Sequence, residues 1–129
     1  MTRYRARTLS LLAAALGVAA ILGGSLGMVS AGVRANLVVG VNPAVGGPLG
    51  GNVPPAAFVG CLPAGSWSAI YLWDGPNQRW RHYFNNVPAY VNSTEAGGLT
   101  TIPRLSGLVL IMNQAVNSPK LRDTAAEPC

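Results

Sequence analysis

Beyond residue 31 the chain carries one histidine, His82, four carboxylates and two cysteines, the groups from which catalysis or metal binding would be built. A histidine works as a general base when a nucleophile lies within hydrogen-bond reach and a carboxylate orients the ring. Asp74 is eight residues from His82, and Ser66 and Ser68 stand in no nucleophile-elbow motif. Glycoside hydrolysis needs two carboxyl groups flanking one bond. Asp74, Glu95, Asp123 and Glu127 are scattered, and only Asp74 falls in a firmly predicted element. The same four acids do not make a calcium loop, and one histidine with two cysteines that pair leaves too few ligands for zinc. The expectation is a protein without catalytic residues, metal or cofactor, with a small secreted hydrolase as the least favoured reading.

The aromatic residues offer a different chemistry. Seven of the nine lie between Trp67 and Tyr90. Flat rings stack on the apolar faces of sugars, and Asn, Arg and Asp beside them can bond hydroxyls. Trp67, Tyr71, Trp73 and Trp80 are therefore the candidate ligand-binding residues of a carbohydrate-binding module, with Trp67 the ring most expected to be exposed. The competing reading is packing, because cross-strand aromatic pairs stabilise hairpins and rings dominate small cores. Cys61 and Cys129 are expected to form a disulfide that ties the end of the chain to the domain. In a domain this small, closing so long a loop is worth roughly 4 kcal/mol. Free or intermolecular thiols are the alternative.

The elements that position these residues read as a small all-β domain, loop-rich, with an antiparallel sheet around a central hairpin. Ala69 to Asp74 and Arg79 to Phe84 are β-favouring runs joined by Gly75-Pro76-Asn77-Gln78, in which proline presets one corner and asparagine tolerates the next. The turn sets Asp74 opposite Arg79, Trp73 opposite Trp80, Leu72 opposite Arg81 and Tyr71 opposite His82. Alternation then places Tyr71, Trp73, Trp80, His82 and Phe84 on one face, and Ile70, Leu72 and Tyr83 on the other, with Arg81 and the Asp74–Arg79 pair toward the tip. Ala35 to Val41 is predicted as a first strand ending at Asn42-Pro43, and residues 43–55 as a flexible Gly/Pro connector. Ala56 to Leu62 suits a single helical turn after Pro55, Ala89 to Val91 a short extended piece, and Leu108 to Met112 a buried strand. Residues from Asn117 read as a polar tail. Asn92-Ser93-Thr94 fits the N-glycosylation pattern and is taken as chance.

Residues 1–31 bear on location. Arg3, Arg5 and Arg7 precede an apolar run from Leu9 to Val29, and Val29-Ser30-Ala31 suits a signal peptidase. This is the plan of a secretory signal peptide. The run also reaches the roughly 20 residues that span a bilayer, so an uncleaved anchor through residues 9–29 is the alternative and the only route to the membrane. The expected product is residues 32–129, secreted or at the cell surface. Three of the nine basic residues belong to the leader, leaving six against four acids. No basic stripe survives to track nucleic acid.

The order Asn36-Leu37-Val38, Tyr71-Leu72-Trp73-Asp74, then Trp80 with Tyr83, then a glycine before a buried strand resembles a short secreted bacterial module. That module reads Gly-Trp-Asn-Leu-Val, Tyr-x-Trp-Asp, Trp-x-x-Tyr and Gly-Tyr-Trp-Val. The likeness covers about Arg34 to Asn113 and departs at Ala35 and at Leu108-Val109, where tryptophan and tyrosine-tryptophan are replaced. It implies a small exported β-fold of generally unknown activity and transfers no catalytic residue. The leading expectation is a non-catalytic module with a structural or interaction role at the bacterial envelope or outside the cell, its partner an envelope protein or a polysaccharide.

Overall fold

The computed structural model describes residues 35–129; the leader and its membrane-spanning alternative lie outside them. Four strands form one antiparallel sheet: β1 (Gly40–Gly46), β2 (Trp67–Asp74), β3 (Arg79–Phe84) and β4 (Gly107–Met112), in the order β1-β4-β2-β3. A four-residue helix, α1 (Pro55–Phe58), and a 3-10 turn at Ala89–Asn92 interrupt the loops. No helix among the described residues is long and apolar enough to cross a membrane. The all-β expectation holds.

The hairpin takes the expected register, from Asp74↔Arg79 through Tyr71↔His82 to Ala69↔Phe84. Four linking residues are needed for this, and they form a turn closed by Gln78 N donating to Gly75 O at 3.2 Å. Gln78 takes the left-handed conformation, with φ 51°, which turns the chain back into β3. The apolar run forms β4, one of the two inner strands. Leu108, Leu110 and Met112 point to the core face and are all but fully buried, while Val109 and Ile111 face the other way, half-buried.

The first strand differs from expectation. Leu37 makes one isolated bridge with Val116, and β1 proper begins at Gly40 and continues through Pro43. Pro43 is tolerated because β1 is an edge strand and the register shifts between Asn42 and Val45, so no ladder donor is missed. Ala44 in the left-handed region absorbs the irregularity. Buried Asn42 ties the entry down: its amide nitrogen donates to Val38 O and Gly40 O, and its oxygen accepts from Val38 N.

The core lies on one side of the sheet only. Ile70, Leu108, Leu110 and Met112 pack against Phe58 at the end of α1 and Val59 just after it, Val53 and Ile102 from a loop bridge, and Leu121 from the C-terminal segment. One expectation falls here. The Gly/Pro loop is packed down rather than a free connector: Gly47 lies so close to Ser106 that a Cβ would sit 2.6 Å from its Oγ, and Gly47 N donates to Ser106 O at 2.7 Å. The C-terminal segment is docked as well, with Leu121 buried and Arg122 N donating to Phe58 O. The Cys61–Cys129 disulfide is present, Cα atoms 5.2 Å apart, and closes a 68-residue separation.

Candidate functional site

The rings of the hairpin divide by environment. Trp67 is 8% exposed and stacks on Tyr83 at 6.1 Å in the core, which overturns the expectation that it is the open ring. The reason is a bulge. β2 pairs Trp67 with Met112 and then Ala69 with Ile111, so Ser68 is the extra residue and Trp67 is rotated onto the core face with Ile70. Asn85 fixes this arrangement by donating from its side chain to Trp67 O, while its backbone N–H donates to Ser68 O.

On the opposite face the rings form a ladder. Trp73 and Trp80 meet at 5.4 Å and 63° near the tip; Tyr71 and Phe84 meet edge-on at 5.9 Å; His82 lies 4.7 Å from Phe84. Exposure falls along it: Trp80 is 53% and Trp73 44% exposed, whereas Tyr71, His82 and Phe84 are half-buried. Of the four candidate ring residues, Trp73 and Trp80 are therefore open to a ligand, Tyr71 partly so, and Trp67 not. Val109, Ile111 and exposed Val41 continue this face across β4 and β1.

The loop after β3 shields the free edge of that strand. His82 bridges to Gly98, with Leu99 N donating to His82 O at 2.6 Å. The side chain of Asn92 imitates a strand, its oxygen accepting from Phe84 N and its nitrogen donating to Phe84 O. The residues expected as an extended piece instead make the 3-10 turn that presents Asn92 to this edge. Asn92 spends its side-chain amide on the fold. Gly98 has no room for a side chain, since a Cβ there would collide with the Asn92 carbonyl.

His82 Nε2 lies 2.9 Å from Val91 O and donates to it. Neither serine considered as its partner is turned to that use: Ser68 Oγ donates to Ile111 O, and Ser66 is wholly buried with Oγ unpartnered. Among the described residues no three histidines, cysteines or acids gather as a metal site.

Asp74 faces Arg79 in the register but bonds diagonally to Arg81, whose Nε donates to Oδ2 at 2.9 Å. Asn77 adds a side-chain bond to Oδ2 at 2.8 Å and a backbone bond to Oδ1 at 3.3 Å. The Arg81 and Asn77 hydrogen bonds hold the Asp74 carboxyl below the usual carboxylate range. The pair stands in a groove of about 610 Å³ between the hairpin tip and the loop after β3, with Trp73 at one side and Leu99, Thr100 and Thr101 at the other. Thr100 and Thr101 did not emerge from the sequence, where two threonines in a loop carry no signal; folding alone brings them beside the Asp74–Arg81 pair.

At the second departure from the secreted-module pattern the two residues have different surroundings. Leu108 is core packing, 2% exposed, whereas Val109 lies on the open face. Comparisons of the chain with protein-family models, characterised proteins and solved structures return no match.

Proposed function

We propose that this chain is a non-catalytic binding module of the cell envelope or extracellular space, and that it docks polysaccharide at its hairpin tip. The observation that carries the reading is the exposure of Trp73 and Trp80, 44% and 53%, side by side on one face of a registered hairpin. Two indoles left in water by a chain that buries its third tryptophan at 8% exposure are a contact surface of the kind binding faces use. Hydrogen-bonding groups stand at the same hairpin tip, in the groove lined by Asp74 and Arg81 on the other sheet face. A few placed polar groups next to apolar area give a ligand its orientation. A sugar presents both kinds of surface on one ring. The basic head, apolar run and Val29-Ser30-Ala31 triplet support export, and the disulfide suits an oxidising compartment.

Acrylamide quenching of tryptophan fluorescence tests this on the full chain in mild detergent, alone and with soluble β-glucan, chitin oligomers, mannan and peptidoglycan fragments. The expected result is two quenchable tryptophans and one shielded, with one glycan protecting the accessible pair. No protection by any of them overturns the glycan reading. A protein partner is the second reading, favoured by exposed Val41 beside Val109 and Ile111 on the same sheet face.

A further inference from the structure

The groove at the hairpin tip is defined by which of its polar atoms the fold has already used. Asp74 Oδ2 accepts two bonds, from Arg81 Nε and Asn77 Nδ2. Its Oδ1 accepts only the 3.3 Å bond from Asn77 N. Arg81 commits Nε to Asp74 and Nη1 to Gly98 O at 3.3 Å, while Nη2 has no protein acceptor among the described residues. Ser106 is occupied, its Oγ donating to Pro103 O. The hydroxyls of Thr100 and Thr101 have no such engagement among the described residues, and both residues line the groove. One strong acceptor, a guanidinium edge and two threonines thus border one space, with Leu72, Leu99 and Pro103 as its apolar wall.

We propose that this groove is a subsite for a single neutral sugar residue, held through a vicinal pair of its hydroxyls. The proposal rests on the glycan reading above and adds a second contact region to it.

The charges select the ligand class. Asp74 and Arg81 carry opposite unit charges 2.9 Å apart, so the groove floor has no net charge with which to attract an ion. A carboxylate ligand that reached Arg81 Nη2 would meet Asp74 Oδ1, and an ammonium that reached Oδ1 would meet the guanidinium. A diol avoids both conflicts. One hydroxyl donates to Oδ1 while its neighbour accepts from Nη2, and each hydroxyl keeps capacity for Thr100 or Thr101. Bonds to charged partners are the stronger kind, and the pair is already ordered: the Asp74 and Arg81 side chains are 14% and 24% exposed. The volume, about 610 Å³, lies within the roughly 300–1,000 Å³ of small-ligand sites.

The test follows the backbone amides of Thr100 and Thr101 by NMR in the full chain in mild detergent. The probes are methyl glucoside, methyl galactoside, methyl mannoside and methyl glucuronide, against wild type and the Thr100→Val/Thr101→Val double variant. Both threonines are exposed, and valine keeps their shape, so the fold is expected to survive; unchanged hairpin resonances verify this. The expected result is saturable shifts with at least one neutral hexoside at millimolar concentration, binding at least tenfold weaker in the double variant, and a weaker response to the glucuronide. Absence of shifts with every neutral hexoside, equal binding by the double variant, or tighter binding of the glucuronide overturns the proposal. These hexosides report on the groove alone, whereas protection of tryptophan from acrylamide by polymers reports on Trp73 and Trp80, so each reading can fail without the other.

Discussion

Removing the disulfide is the perturbation whose magnitude follows most directly from the structure. Cys61 and Cys129 close a 68-residue separation. In the chain-entropy treatment, a loop of that length removes about 15 cal/mol/K from the unfolded ensemble, or about 4.4 kcal/mol at 25 °C. Small domains have about 5–15 kcal/mol in total, so the bridge supplies a large share. At about 4–8 °C per kcal/mol for a domain of this size, the Cys61→Ser/Cys129→Ser variant should melt roughly 18–35 °C below the oxidised protein. The bridge is not the only tether of the C-terminal segment, since Leu121 is buried and Asp123 Oδ1 accepts from Leu49 N. Those contacts exist only in the folded state and leave the unfolded-state argument intact. The double variant also removes the bond from Arg122 Nη2 to Cys129 Sγ, 3.2 Å long. Arg122→Ala, which keeps the bridge, measures that separately. The assay is thermal unfolding of the full chain followed by circular dichroism in one detergent, for wild type, both variants and reduced wild type. A midpoint for the serine variant within about 3 °C of wild type would refute the account, and so would an Arg122→Ala loss that equals it.

Three further outcomes are expected. Trp67→Ala, which empties a buried site against Tyr83, should cost about 3–5 kcal/mol, read from the urea midpoint. Trp80→Ala should cost only about 1 kcal/mol, the scale of an exposed aromatic pair, and should abolish the fluorescence response to glycan; a loss as large as that at Trp67 would show that Trp80 is a packing residue. The Asp74 carboxyl is depressed in the folded state by its Arg81 and Asn77 bonds, so its contribution to stability is present above the ordinary value of about 3.9. That contribution is lost as pH falls through the lower folded value. Carbon-detected NMR titration should place its midpoint below 3.9 in wild type and nearer 3.9 in Arg81→Gln.

The features legible in the sequence were those written locally. The hairpin register follows from Pro76 and Asn77 between runs of matching length, and β4 from five consecutive apolar residues. What escaped depends on single-residue irregularities and on distant partners. Strict alternation puts Trp67 with Tyr71 and Trp73, and the Ser68 bulge undoes it. Pro43 reads as a strand breaker until its strand proves to be an edge. Asp74 was matched to the residue directly opposite, whereas the longer reach of Arg81 across the diagonal wins. The groove has no local signature, because Thr100 and Thr101 meet the hairpin only through the loop that returns along β3.

The strand order has a consequence for how the molecule assembles. β4, the last strand along the described chain, sits between β1 and β2 and pairs with both. The β2–β3 ribbon closes over four residues and can form early, on the microsecond scale of hairpins. β1 has no lateral neighbour until residues 107–112 arrive, and contacts that span so much sequence are slow to form. Until then the exposed edges of β1 and β2 offer unpaired backbone groups to any other chain. The topology thus makes one apolar strand the piece that joins β1 to the β2–β3 ribbon.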